Sequence, residues 1–303
     1  MIAAESPLDS DGMTSQLSPD TRSRLWLPRS TLTACLRGVL ARNTLGAVLD
    51  DLQRFNHFPA TPLCSLTWWI HGEAQMLPVG TATSLQPPRE LLPWRLLFAG
   101  PCTRPVVSWN PGPVHAVMLL LQPDALHRLT GLVVQDWVNR RADAREVLPT
   151  DWLTMCEAVL NDPDDDTRVA RLQDFLEPRW QAARPTLPMQ AQRYLDWAQS
   201  LAMHAAATGP GRSLRQMERR IKRWAGLPMR ELRGFGRAEQ AFFATLAASA
   251  LGEPNWAELA DASGYADQSH LCRETRRVTG CSPDELYRRI HTDESFWSYR
   301  LWQ

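Results

Sequence analysis

At 303 residues with 44% hydrophobic content, the chain has room for two domains with real cores. Its 33 basic and 33 acidic residues cancel, so any nucleic-acid footprint must be local. The six cysteines (35, 64, 102, 156, 272 and 281) contain no C-x-x-C pair, which argues against a zinc site or disulfide framework and for a reducing, cytoplasmic setting.

Residues 1–24, rich in Ser, Asp, Pro and Thr, read as a disordered tail without the basic and apolar regions of a signal peptide. No apolar run reaches membrane-spanning length, so no membrane partner is expected. Residues 25–149 read as β-rich. Apolar and aromatic runs at 62–70 (PLCSLTWWI), 95–100, 104–110 and 114–121 are separated by Gly-Pro punctuation such as NPGP at 110–113. Dense prolines suit the edges and turns of a barrel or sandwich. The opening STLTACLRGVLAR (30–42) has both 3.6-spaced apolar positions and β-branched residues, leaving helix and strand open. A short helix is expected after Pro123.

His57, His71 and His115 lack the close H-x-H pairing of a barrel metal site, so neither a metal nor another cofactor is expected. Trp68, Trp69, Trp94 and Trp109 fit either core packing or the wall of a ligand pocket. Cys64 and Cys102 have no neighbouring cation to activate a thiol and read as packing residues.

Residues 150–187 switch to helical periodicity and read as a helical linker. Thr150-Asp151 caps one helix, and the acidic NDPDDDT (161–167) caps a second. The second carries Val169, Leu172, Phe175 and Leu176 on one stripe before Pro178. That stripe suits either a homodimer or packing on its own domain. RPTLP (184–188) is a candidate hinge.

Residues 188–303 read as all-helical, with helix-turn-helix candidates at about 194–225 and 255–279. In the first, YLDWAQSLAMHAAA is followed by TGPG (208–211), and Ser213 caps a helix with Met217, Ile221 and Trp224 on its buried face. From 212 to 237 there are nine basic residues against two acidic, a local net of +7. A long connecting helix follows, with Phe242, Phe243 and Leu246 expected buried. In the second unit a short helix from Trp256 breaks at Gly264. The next helix carries Leu271, Thr275 and Val278 on one face and Gln268, Ser269, His270, Arg273, Arg276 and Arg277 as polar side chains. Gly280 ends it, and Ser282-Pro283 starts another.

The string GYADQSHLCRETRRVTGCSP resembles the second helix-turn-helix of the AraC/XylS family of bacterial transcription regulators. It has the family's Gly-aromatic pair, D-Q-S-x-hydrophobic-x-R run, basic-T-G step and Ser-Pro helix start. SLRQMERRI resembles the family's first recognition helix, S-x-R-x-L-x-R-x-hydrophobic, although Pro210 between two glycines departs from the usual short turn. RFNHFPATPLCSLTWWIHGE and VHAVMLLLQPDALHRLTG resemble sensor regions attached to some AraC-type regulators. The resemblance implies an α+β chain: a β-rich, cupin-like effector or oligomerisation domain joined to an all-α domain with two helix-turn-helix units.

The function implied is a sequence-specific, effector-responsive transcription regulator reading two successive major grooves. Its implied partners are double-stranded promoter DNA, a small-molecule effector, a second copy in a homodimer and, for an activator, RNA polymerase. Helix-start residues Ser213, Leu214, Arg215 and Gln216, with Ala266, Asp267, Gln268, Ser269 and His270, are candidates for base edges. Arg219, Arg220, Arg223, Arg273, Arg276 and Arg277 are candidates for phosphates. The charge distribution suggests that the first unit supplies affinity and the second sequence reading. One alternative is a constitutive binder whose N-terminal domain only oligomerises. Another is a DNA-alkylation-repair protein, but that activity needs an activated Cys followed by Pro, His or Arg, or a four-cysteine zinc module; Cys102 is followed by Thr103 and Arg104. No catalytic residue is expected.

Overall fold

The computed structural model describes residues 17–78, 89–186, 193–208, 213–249 and 254–303. In chain order the strands are β1 (Arg22–Trp26), β2 (Leu36–Asn43), β3 (Phe55–Phe58), β4 (Cys64–His71), β5 (Ala74–Met76), β6 (Glu90–Leu92), β7 (Leu96–Ala99), β8 (Val106–Trp109), β9 (His115–Leu121) and β10 (Arg141–Asp143). Their pairings are antiparallel and make two sheets, in the orders β1-β2-β9-β4-β7-β10 and β3-β8-β5-β6.

Pleating decides what the larger sheet does, because successive side chains point to opposite faces. Cys64, Leu66 and Trp68 of β4 and Val117, Leu119 and Leu121 of β9 face one way, into a core. Their neighbours Ser65, Thr67 and Trp69, and Ala116, Met118 and Leu120, face a cavity. The core face is covered by α1 (Pro123–Thr130), α2 (Thr150–Asn161) and α3 (Asp165–Ala183), with Trp152, Val159, Leu172 and Trp180 in the same cluster. The indole of Trp68 donates to the carbonyl of Cys156 at 3.2 Å, which satisfies its one polar atom in the core.

The structure changes several expectations. Residues 150–187 are no mere linker: α2 and α3 are a covering layer of the sheet, their apolar stripes buried in the same cluster as its core face. Val169, Leu172 and Leu176 are therefore spent inside the domain rather than left for a dimer, and Phe175 lies edge-on to Trp152 at 5.4 Å. Pro178 does not end α3, which continues to Ala183. The proline is on the exposed side, and buried Leu176 and Trp180 anchor the helix on either side of it. Residues 22–24, assigned to the tail, belong to β1, paired from Arg22 opposite Asn43. The first sixteen residues, with 187 and 188 of the expected hinge, lie outside the described residues. The ambiguous 30–42 segment is one 3-10 turn followed by β2, which pairs on both sides, with β1 and β9.

The C-terminal part is helical: α4 (Tyr194–Ala207), α5 (Leu214–Ala225), α6 (Met229–Ser249), α7 (Trp256–Ala262), α8 (Gln268–Thr279), α9 (Pro283–Thr292) and α10 (Trp297–Arg300). Trp197, Leu201, Ile221, Leu232 and Phe235 form the core of α4–α6. Ala241, Leu259, Ala260, Tyr265 and Leu271 join the far half of α6 to α7 and α8. Phe242, Phe243 and Leu246 are half-buried, not buried: they face the cavity.

Candidate nucleic-acid interface

The second unit is assembled from local signals. Asn255 caps α7, its Oδ1 accepting from the amides of Ala257 at 3.1 Å and Glu258 at 3.4 Å. Gly264 sits at φ +71°, where a side chain would be strained, and turns the chain into Tyr265. Asp267 Oδ1 accepts from the His270 amide at 2.7 Å and starts α8. Ala266, Asp267, Gln268 and Ser269 are exposed together with Arg273 and Arg276; His270 is half-buried, edge-on to Tyr265 at 5.2 Å.

In the first unit Ser213 Oγ accepts from the Gln216 amide at 3.3 Å. Residues 209–212 lie outside the described residues, so the Gly-Pro-Gly break and Arg212 have no structural account. Leu214, Arg215, Gln216, Arg219 and Arg223 are exposed, and Arg220 is half-buried. Both helix starts are thus presented to solvent as expected.

Several of the candidate residues have other work, among them Asp267, Ser213 and Arg277. The carboxylate of Asp267 and hydroxyl of Ser213 are occupied as caps. Arg277 pairs with Glu274 at 3.1 Å and lies over the ring of Phe235 at 5.4 Å, tying α8 to α6.

The C-terminal ends of α5 and α8 rest on the β-rich half. A Cβ on Gly226, which ends α5, would lie 3.0 Å from Val138 and 3.2 Å from Pro101. One on Gly280, which ends α8, would lie 3.6 Å from Pro105. The Ala60 amide donates to the Val278 carbonyl at 2.7 Å. Trp224 of α5 packs beside His204 and His127 at centroid distances of 5.4 and 6.5 Å, with the Arg128 guanidinium 5.8 Å from its ring. Burial and then the Arg128 charge hold the His204 imidazole below its ordinary pKa.

Between the sheets and the helices lies a cavity of about 700 Å³. Its walls include Thr67, Trp69 and Met118 of the larger sheet, Phe242 of α6, Leu271 of α8 and Trp297 of α10. Two arginines of β2 bridge it to the helical part. Arg37 Nη2 lies 2.6 Å from Glu239 of α6, and Arg42 Nη2 lies 2.5 Å from Glu294, just beyond α9. All four side chains are at most 11% exposed. Burial raises the Glu239 carboxyl against the lowering effect of Arg37, and burial lowers the Arg42 guanidinium. Trp297 Nε1 donates to Asn56 Oδ1 at 2.8 Å, and Ser298 Oγ donates to the His57 carbonyl at 2.7 Å. His57 stacks on Phe296 at 4.4 Å, its pKa pushed down to about 3 by burial and by Arg289, with Asp293 opposing.

Sequence reasoning missed these four ionic residues. The available signal was two arginines inside the apolar run LRGVLAR, whose carboxylate partners are 202 and 252 residues away.

The other singled-out side chains are dispersed. His115 Nε2 lies 3.0 Å from Asp165, and His71 is exposed at the end of β4. Trp109 lies under the Arg89 guanidinium at 3.9 Å, and Trp94 packs against the small cluster of Ala74, Met76, Leu92 and Leu97. Burial pushes the Cys64 and Cys102 thiols up, the opposite of activation. No described helix is long and apolar enough to cross a membrane.

Residues 246–286, from the end of α6 into α9, match the model of bacterial regulatory helix-turn-helix proteins, AraC family. The second unit is an AraC-type helix-turn-helix. The chain therefore carries the DNA-binding unit of a transcription regulator, within which α7 and α8 lie. Solved structures of ToxT from Vibrio cholerae also align. An apo variant from strain SCE256 is 11% identical over 88% of this chain and 100% of that chain, with a TM-score of 0.38. A wild-type form with bound unsaturated fatty acid is 10% identical over 92% and 98%, with a TM-score of 0.35. Among curated proteins no match was found.

Proposed function

We propose that the chain is a sequence-specific transcription regulator that reads two successive major grooves and answers to a small molecule held in its cavity. The AraC-type match together with two capped helices, each exposing its start to solvent, carries the DNA reading. A helix start in the major groove puts side chains at base edges. Gln268 is suited to bidentate pairing with adenine, Arg215 to guanine and Ala266 to a thymine methyl. Arg219, Arg223, Arg273 and Arg276, exposed along the two helices, are suited to phosphates. Arg277 contributes by holding α8 on α6 rather than by meeting the backbone.

The effector reading rests on the cavity. Its walls belong to the sheet on one side and to α6, α8 and α10 on the other, so an occupant contacts both. An occupant that binds one arrangement of those walls better than another shifts their balance by that difference. A lining that joins apolar walls to charged groups such as Arg37, Arg42 and Glu239 suits a small amphipathic molecule.

Selection of duplexes from a random pool by the full chain tests the DNA reading: enrichment of two sequence blocks about one helical turn apart is expected. Failure to enrich any sequence would defeat it. Thermal shift of the full chain against apolar and amphipathic metabolites tests the effector reading, because a ligand of the folded state must raise the midpoint.

A further inference from the structure

The two sides of α6 have different uses. Phe235, Glu239, Phe242 and Leu246 line the cavity, and Glu239 is held there by Arg37 of β2. At about 100° per residue, Arg230, Arg233 and Arg237 fall on the other side of the helix, within about 60° of one another. None of the three lines the cavity. The two carboxylates of the helix, Glu231 and Glu239, lie about 100° or more outside that arc, so the arc is purely basic. Arg230 and Arg233 are exposed, and among the described residues neither guanidinium has a hydrogen-bond or ion-pair partner. The fold makes no use of their charge.

The cavity also fixes where this side of α6 points relative to α8. Leu271, Thr275 and Thr279 of α8 line the cavity, so Ser269, Arg273 and Arg276 on the opposite side of α8 face away from it, and all three are exposed. The basic side of α6 and the exposed side of α8 are thus both turned away from one cavity, toward the outside of the helical part. Direct contacts join them. The Arg237 guanidinium lies 5.9 Å from the Tyr265 ring, and a Cβ on Gly264 would lie 3.9 Å from Arg237 Cδ. One turn on, Gln240 Nε2 donates to the Ala262 carbonyl at 3.1 Å. The basic row therefore arrives at the turn that starts α8, the end carrying exposed Gln268 and Ser269. At its other end the Met229 amide donates to Glu218 Oε1 of α5 at 3.3 Å. From Arg230 to Arg237 the row covers about 10 Å between the two helices.

Resting on the DNA reading above, we propose that Arg230 and Arg233 form a third DNA contact, made by α6 to backbone phosphates between the segments met by α5 and α8. Arg237, half-buried against Tyr265, holds the turn instead. A guanidinium fork matches phosphate oxygens bidentately and stays charged at any working pH. Phosphates carry no sequence, so this contact sets affinity and the register of the two helices, not base choice. Leu232, Phe235 and Ala241 anchor α6 in two cores, so the backbone that carries the two charges is ordered before DNA arrives.

The experiment titrates the full chain with a duplex enriched by the wild type and with its scrambled version, over a range of salt concentrations. The proteins are the wild type, Arg230→Ala/Arg233→Ala, Arg230→Lys/Arg233→Lys and Arg22→Ala. Arg22 is exposed on β1, at an edge of the larger sheet. The alanine pair is expected to weaken both duplexes by a similar factor. It should make the slope of log K against log salt shallower by about 1.8, at about 0.9 per phosphate lost. The lysine pair should recover most of the slope, and Arg22→Ala should change neither quantity. Alanine and lysine both suit a helix, so thermal midpoints should stay near wild type. Wild-type affinity and slope in the alanine pair, a loss that the lysine pair does not recover, a loss confined to the enriched duplex, or an equal loss in Arg22→Ala overturns the proposal. If the wild type binds no duplex, the parent reading fails; if it binds and the alanine pair binds equally well, only this one fails.

Discussion

The helices around α5 and the AraC-type unit around α8 divide their resources differently. The first is the charged one: α5 and its surroundings carry the +7 stretch, but its Ser213 cap bond is long at 3.3 Å. The second is the well-formed one: a Gly264 turn, an Asp267 cap at 2.7 Å, and five basic residues nearly balanced by four acidic over 265–291. Their seats differ as well. The end of α5 rests on α1 through Trp224 and His127 and on α4 through His204, whereas the segment beyond α9 is fixed by the buried Arg42–Glu294 pair and by Trp297 on Asn56. Strength of sequence pattern and electrostatic strength are thus separate properties, and both units depend on the β-rich half for position. Deleting 254–303 would therefore not isolate the first unit cleanly, because it would leave Arg42 buried without its carboxylate.

The largest expected effect separates the two seats. Glu294→Ala strands the Arg42 charge and should lower stability by about 3–5 kcal/mol, whereas Trp224→Ala, at a half-buried site, should remove about 2 kcal/mol. Urea unfolding measures both, and equal small losses would erase the distinction.

Acid probes the same seats. His57 and His204 both have folded pKa values below the ordinary one, so the unfolded chain takes up the extra proton first. Their contribution is complete above a pH of about 6.5 and is lost as the pH falls below it. The thermal midpoint should therefore drop between about pH 7.5 and about pH 5, and His57→Gln should shrink that drop more than His204→Gln. The reverse order would put the more strongly buried imidazole under the first unit instead.

DNA binding sharpens the division of labour. Gln268→Ala should cost about 1–3 kcal/mol at one base pair and relax preference there. Arg219→Ala should weaken all sequences alike and reduce the salt slope by about 0.9. Gel-shift titrations showing equally indiscriminate losses would abolish the contrast.

The smallest effect compares the caps: Asp267→Ala should destabilise by about 1 kcal/mol and Ser213→Ala by about 0.5 kcal/mol, read by thermal unfolding.

The sequence by itself determined the elements whose causes are local. The period of Leu271 and Val278, the cap at Asp267, the positive φ demanded at Gly264 and the Ser282-Pro283 start each depend on a few neighbouring residues, and so α7, α8 and α9 were legible with their exposed side chains. The strands at 64–71 and 115–121 were legible for the same reason. Tertiary structure alone decided which surface each apolar stripe would meet. It turned α2 and α3 onto the sheet, and it aimed alternate residues of β4 and β9 into a cavity rather than a core. It also brought Arg37 and Arg42 to carboxylates more than two hundred residues away. Periodicity states that a face must be buried, but the partner of that face is chosen by how the whole chain closes, and no short window of sequence contains that information.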